Sequence, residues 1–225
     1  MIGRDVDPRP ADGSHSDSRL TDARRVADVV LAGLGLLVLS PLLFGVALLI
    51  LIRSGRPVMH VATRVGLGGR PFPLYKFRTM VTGAAGAGPA VTVKGDPRVT
   101  PLGRILRRYK LDELPQLVNV VKGEMSLVGP RPEDPTYVRL YTPAQRQILS
   151  IKPGITSVAS LRYRSEEDLL HGPEWEKRYI YEIMPTKVRM EIDHACTRSL
   201  PGDLVLVLST VIRLARRQTH IDGVD

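Results

Sequence analysis

At 225 residues with a net charge of +9, from 32 Lys+Arg against 23 Asp+Glu, the chain has room for one ordinary domain and an appendage, and its charge calls for an anionic partner such as nucleic acid, a phosphorylated metabolite or a phospholipid surface. Cys196 is the single cysteine, which excludes an intramolecular disulfide framework and favours a reducing compartment. His15, His60, His171, His194 and His220 make no metal-ligand spacing with Cys196 or with one another, which argues against a zinc site.

Residues 1–22 are polar and turn-forming and read as a disordered tail, because they offer too little apolar surface to offset the entropy of ordering. Residues 23–55 form a membrane segment: 29–52 is an uncharged run of 24 residues, and at about 1.5 Å per residue in a helix it could cross a hydrocarbon core of about 30 Å. The run is too long and starts too late for a secretory signal. Arg24 and Arg25 precede it and Arg53 and Arg56 follow it, which pulls both ends to the cytoplasmic face. Pro41 lies at its middle, where it removes a helix hydrogen bond and crowds the preceding turn, and the Ser40 hydroxyl can satisfy a freed backbone group. These features favour a re-entrant helix-break-helix over an ordinary tilted span. Asp28, at the membrane edge, is expected to pair with Arg24 or Arg25 at helical spacing.

Residues 56–225 form the domain that follows the membrane segment. Strand-like runs at 57–65 and 70–80 flank the turn "GLGG" and predict a β-hairpin. Period-two alternation sets Lys76 and Arg78 on one strand face, where two cations project together toward a phosphate or simply toward water. "GAAGAGPA" at 83–90 reads as a mobile loop. Lys94, Arg98, Arg104, Arg107, Arg108 and Lys110 face the single acid Asp96 over 94–110, a density suited to lipid headgroups or to a phosphate clamp. Leu111, Leu114, Leu117, Val118 and Val121 then recur at helical spacing before the stop Gly123.

Asp112 and Glu113 open that helical pattern, and two readings compete. In one, Asp112 is an N-cap, Glu113 a first-turn acid and Pro115 a first-turn proline. In the other, a carboxylate held ionised by the helix N-terminus and nearby arginines attacks phosphorus, while its neighbour holds a divalent cation on the substrate phosphates. Pro130 and Pro132 stiffen the loop "MSLVGPRPED" around Arg131, whose guanidinium can grip phosphate with two nitrogens. "IKPGIT" at 151–156 reads as a turn, 166–196 as charged helix packed through Trp175 and tyrosines, and 204–217 as an apolar helix for the membrane surface or the core.

"LYKFRTM" (74–80), "DPRVTPLGRILRRYKLDELPQLVNVVKGEMSLVGPRPE" (96–133) and "KPGIT" (152–156), behind a membrane segment containing Ser-Pro, resemble the bacterial sugar transferase family over roughly 22–217. These are monotopic polyprenyl-phosphate phosphoglycosyl transferases, and the single membrane segment resembles their minimal form. The resemblance implies an α+β, mainly helical fold with a re-entrant helix broken at Ser40 and Pro41. It implies that Asp112 is the nucleophile and that Glu113, with Asp112, binds Mg2+. It implies substrate contacts from Lys76, Arg107 and Arg131, with Arg78 beside them on the strand, and from Asp203.

The implied reaction passes a sugar-1-phosphate from a UDP-sugar to polyprenyl (undecaprenyl) phosphate with release of UMP, through an aspartyl-phosphosugar. It is the first membrane step of exopolysaccharide or glycoconjugate assembly at the cytoplasmic face of the bacterial inner membrane. Membrane phospholipids and downstream glycosyltransferases are the implied neighbours, a homo-oligomer is allowed, and nucleic acid is not a partner, because such binding does not explain the apolar segment. A membrane-tethered adaptor and a nucleotide-sugar hydrolase are the alternatives. The chain departs from the family pattern at Met59, His60 and Ala62 before "RVG", and after Thr156, where "SVASLRYR" stands. These departures bear on the sugar and the acceptor, since selectivity resides in pocket shape.

Overall fold

A computed structural model describes residues 14–84, 88, 91–93, 95–164, 166–170 and 172–219, with side chains within 22–213 except 167 and 168. Residues 1–13 of the polar tail, most of the 83–90 loop and Lys94 lie outside the described residues.

In chain order the elements are α1 (Ser14–Ser54), β1 (Met59–Val65), β2 (Pro71–Phe77), α2 (Pro101–Arg108), α3 (Gln116–Lys122), β3 (Ser126–Val128), α4 (Pro135–Val138), β4 (Gly154–Thr156), α5 (Val158–Arg162), α6 (Glu166–Leu169), α7 (Trp175–Arg178), α8 (Met184–Cys196) and α9 (Leu200–Thr219). The fold is mainly helical with two small sheets, β1–β2 antiparallel and β3–β4 parallel. The expected hairpin forms, its turn tightened into a 3-10 helix over Leu67–Gly69, and its register sets His60 opposite Lys76.

Helix α1 takes in the whole apolar run and begins at Ser14, within the stretch read as tail. Over Asp22–Ser54 it is long and apolar enough to cross a membrane by length and composition. It continues through Pro41, where the Ser40 hydroxyl donates to the Leu37 carbonyl at 2.7 Å. One face of α1 is docked on the domain. Ala32 packs with Phe72, Leu74, Val120 and Met125, and Val46 and Ile50 pack with Phe77 and Leu106. Leu34, Leu37, Val38 and Phe44 on the remaining surface are more than half exposed.

Docking overturns the expected pairing of Asp28 with a neighbouring arginine. Asp28 accepts from Ser126 Oγ at 2.7 Å and from the Leu127 amide at 3.0 Å, whereas Arg25 donates to the Val120 and Val121 carbonyls at 2.6 and 2.9 Å. A charge pressed against a domain satisfies the backbone ends it meets there, and the solvated i,i+4 alternative is the weaker partner.

Helices α2, α4 and α5 and the β3–β4 sheet were not anticipated. Thr100 caps α2 by accepting from the Gly103 amide, and Pro101 occupies its first turn. A Cβ on Gly103 would strike the Thr79 carbonyl, so glycine lets α2 lie against the strand exit. Parts of the loop read at 125–134 and of the turn read at 151–156 run side by side as β3 and β4, and the backbones of Gly129 and Gly154 approach too closely for any Cβ. A second core, of Val65, Tyr137, Val138, Tyr141, Ile148, Leu170, Tyr179, Ile183, Met184 and Val188, supports this C-terminal half.

Candidate active site

The acid pair sits on a chain reversal between α2 and α3. After Tyr109, Lys110 takes a left-handed conformation (φ 57°, ψ 21°), and a 3-10 turn over Leu111–Glu113 follows. A lysine in this region costs roughly 1–3 kcal/mol, held in place by the surrounding structure. The reversal turns both acids inward, leaving Asp112 5% and Glu113 8% exposed. The capping reading fails here: α3 starts only at Gln116 behind Pro115, and Asp112 makes no cap bond.

Four cations converge on this turn from three elements. Lys76 of β2 donates to Glu113 Oε1 at 3.1 Å, and Arg131 donates to Oε1 at 2.5 Å and to Oε2 at 3.2 Å. Lys110 Nζ lies 4.0 Å from Oε1. Arg107 lines the same cavity, its Nε bonded to Thr79 Oγ1 at 2.8 Å. Burial alone would raise the Glu113 carboxyl, but Arg131, Lys76 and Lys110 together hold it well below the usual carboxylate range.

Asp112 is treated differently. Its Oδ1 is buried with no hydrogen-bond partner. Burial and the adjacent Glu113 charge push its carboxyl up, against the pull of Lys76, Lys110 and Arg107. Of the surrounding cations, Lys76 and Arg131 bond to Glu113 rather than to Asp112. Burial likewise lowers the Lys76 ammonium to about 8, with Glu113 opposing the shift.

Second contacts fix these groups. Asn119, fully buried on α3, accepts from the Tyr75 amide at 3.1 Å and donates to the Pro73 carbonyl at 2.6 Å. It thereby stands in for a missing strand neighbour and ties the helix behind the acid pair to the strand that carries Lys76. The β3–β4 contact at Gly129 and Gly154 sets the origin of the Arg131 loop.

Of the remaining expected site residues, Arg78 lines the cavity, but its guanidinium donates to the carbonyls of Ser54, Gly55 and Arg56 at 2.5, 2.7 and 2.8 Å. It clasps the exit of α1, so Lys76 and Arg78 line one cavity but bond to different partners. Asp203 lies away from the cavity: it accepts from Arg198 Nε at 2.9 Å and faces Arg24 at 3.6 Å, joining the start of α9 to α1. His60, which no motif marked, enters the cavity opposite Lys76; the hairpin register was the signal that would have found it.

The cavity measures about 1440 Å³, ample for a nucleotide sugar, with Asp112, Glu113, Lys76, Arg107 and Arg131 on its wall. Among the described residues no three of His, Cys, Asp and Glu converge as a metal cluster. The acid pair still fits magnesium, which binds through one or two carboxylates and completes its shell with water and substrate phosphates. The orphaned Oδ1 of Asp112 is the observation behind that fit.

The model of the family described as bacterial sugar transferase matches residues 19–217. The UDP-glucose:undecaprenyl-phosphate glucose-1-phosphate transferase of Caulobacter vibrioides is 41% identical over 191 residues, covering 84% of this chain and 68% of the relative. The UDP-N-acetylgalactosamine-undecaprenyl-phosphate N-acetylgalactosaminephosphotransferase of Aeromonas hydrophila is 35% identical over 84% of this chain, which spans only 42% of that relative's length. The exopolysaccharide production protein ExoY of Sinorhizobium fredii is 32% identical, with 84% of each chain covered.

Proposed function

Because the chain belongs to the bacterial sugar transferase family, we propose that it moves a sugar-1-phosphate from a UDP-sugar to undecaprenyl phosphate through an ester on Asp112. The observation that carries this reading is the division of labour in the acid pair: Glu113 collects the cations, and Asp112 keeps a buried oxygen without a partner. A nucleophile needs such a free lone pair. In the first step an Asp112 oxygen bonds to the β-phosphorus, the bridging P–O bond breaks, and UMP leaves with its electron pair. In the second, an oxygen of the lipid phosphate attacks the same phosphorus, the aspartyl O–P bond breaks, and the carboxylate is restored.

The surrounding residues do little covalent work. Lys76, Arg107 and Arg131 orient the phosphates and neutralise their charge, which is most of what phosphoryl transfer asks of a protein. Magnesium held by Asp112 and Glu113 would add charge neutralisation on the phosphate oxygens. The covalent intermediate lets a soluble donor and a membrane-bound acceptor use one site in turn.

A re-entrant segment turning at Ser40 and Pro41 is part of this proposal; α1 itself runs unbroken through Pro41, and the support is the cations at both ends, Arg24 and Arg25 before the apolar run and Arg53 and Arg56 after it. Arg24, Arg25 and Asp28 hold its first part to the domain and Arg78 grips its exit, so both ends lie on one body. We place that body at the cytoplasmic face of the inner membrane.

The test is UMP release from UDP-sugars with undecaprenyl phosphate and magnesium, combined with intact mass of the protein during turnover. A sugar-phosphate adduct on wild type and none on Asp112→Asn is the expected result. UMP release without any adduct, undiminished in Asp112→Asn, would overturn the covalent step.

A further inference from the structure

Beyond the Glu113 cluster the cavity wall carries the ion pairs Arg64–Asp134, Asp96–Arg98 and Glu166–Lys187, and the last, which joins two helices, is one that the reaction above leaves unused. Lys187 of α8 donates to both oxygens of Glu166, the first residue of α6, at 2.9 and 2.8 Å. Both side chains line the cavity and stay partly open to it, 13% exposed for Lys187 and 22% for Glu166. Tyr179 backs the pair, with the Lys187 ammonium 5.6 Å from its ring centroid and its hydroxyl donating to Glu133. On the other side Glu166 adds to the field that holds Arg131 protonated, and Arg131 is bonded to Glu113. Glu113, Arg131, Glu166 and Lys187 therefore form a wall of alternating charge leading away from the acid pair.

The two flanks of the cavity differ in chemistry. The flank built by the hairpin and α2 presents Arg104, Arg107 and Arg108, an excess of positive charge suited to a pyrophosphate. The flank built by α5, α6 and α8 presents the mutually neutralised Glu166–Lys187 pair beside Ser160 and Tyr163, with Arg164, whose guanidinium donates to the Arg213 carbonyl at 2.6 Å, as its further cation. A sugar ring is neutral, and its hydroxyls both donate and accept. A carboxylate that accepts from two hydroxyls, held by an ammonium that donates to a third, matches such a ring and leaves no net charge stranded when water is expelled. The sugar is also a substituent of the phosphorus under attack, and it diverges from the departing nucleotide in an in-line displacement. It must rest on a different flank from the uridine.

Given the transferase reading on which this rests, we propose that Glu166 and Lys187 form the sugar subsite, Glu166 accepting from hydroxyls of the donor's pyranose and Lys187 donating to a ring substituent. The pair then discriminates among UDP-hexoses, while the cations of the opposite flank bind the nucleotide common to all of them. The competing role is a salt bridge that only fastens α6 to α8.

Equilibrium binding to the full chain in detergent separates these roles. UDP, UDP-glucose, UDP-galactose and their two N-acetylhexosamine counterparts are titrated into wild type, Glu166→Gln and Lys187→Met, with thermal unfolding of each as a folding control. The subsite predicts that the best-bound UDP-hexose weakens tenfold or more in both variants, that UDP shifts less than twofold, and that the ranking of the four donors changes. Equal weakening of UDP and every UDP-hexose, no weakening at all, or two variants that fail to fold would overturn the proposal and leave the transferase reading intact. Wild type that binds neither UDP nor any UDP-hexose would remove the transferase reading and the subsite with it.

Discussion

The Arg131 guanidinium bonds both oxygens of Glu113, at 2.5 and 3.2 Å, across 18 residues of sequence. That clamp gives two neighbouring carboxylates opposite characters: one is a fixed anion in a cationic cage, and the other is buried with an oxygen unspoken for. Each expectation below follows from that asymmetry or from the scaffold that produces it.

Replacing Asp112 separates activity from stability. Asp112→Asn is expected to lower UMP release at least about 1,000-fold, because the nucleophile is lost. The same change is expected to stabilise the fold by about 1 kcal/mol or more at neutral pH, since it removes an unpaired buried charge. The folded carboxyl titrates above its ordinary 3.8, so its ionised form costs stability above that pH. The gain should be absent well below 3.8 and grow as pH rises above it, levelling off once the folded carboxyl is ionised. Chemical denaturation of both proteins at several pH values measures it.

Arg131→Lys keeps the charge and loses the fork. About tenfold to a hundredfold lower kcat/KM is expected, because a single ammonium cannot bond both Glu113 oxygens and a phosphate in the same plane. A variant within twofold of wild type in the UMP assay would contradict the clamp's role.

Lys76 predicts the basic limb of the pH profile. Its ammonium titrates near 8 in the folded protein, so it is charged below that pH and neutral above it. kcat/KM for UMP release should fall as pH rises through about 8. In Lys76→Arg the guanidinium stays charged and that limb should disappear, whatever the maximal rate.

Gly154→Ala tests the strand contact behind Arg131. The added methyl collides with the backbone of Gly129, which cannot rotate away, so a loss of about 3 kcal/mol or more is expected in denaturant unfolding. Gly45→Ala, where nothing lies within 4 Å of the new methyl, is the control and should be nearly neutral.

The re-entrant segment predicts one-sided labelling. Single cysteines at Asp22 and Arg56, in a Cys196→Ser background, should react with an impermeant maleimide only after the cytoplasmic side of oriented vesicles is exposed. Reaction of the two from opposite sides would establish a full span.

Local features of the chain were legible in its residues, because periodicity and composition act over a few positions. The β-hairpin follows from alternation around "GLGG", the apolar length of α1 from an uncharged run, and the stop at Gly123 from a residue that takes φ 90° without strain. The acid pair beside a cation-rich block was equally visible, and the net charge of +9 called for an anionic partner.

Partner choice was decided only by tertiary structure, because hydrogen bonds between distant residues depend on how whole elements pack. Lys76 lies on β2 and Arg78 just past its end, yet Arg78 closes on the carbonyls at the exit of α1 and Lys76 on Glu113. Asp203 left the site for Arg198 and Arg24, and Glu166 met Lys187 from 21 residues away. Nothing in local spacing separates Asp112 from Glu113; burial and the convergence of three elements do, by giving the cations to one carboxylate and leaving the other free.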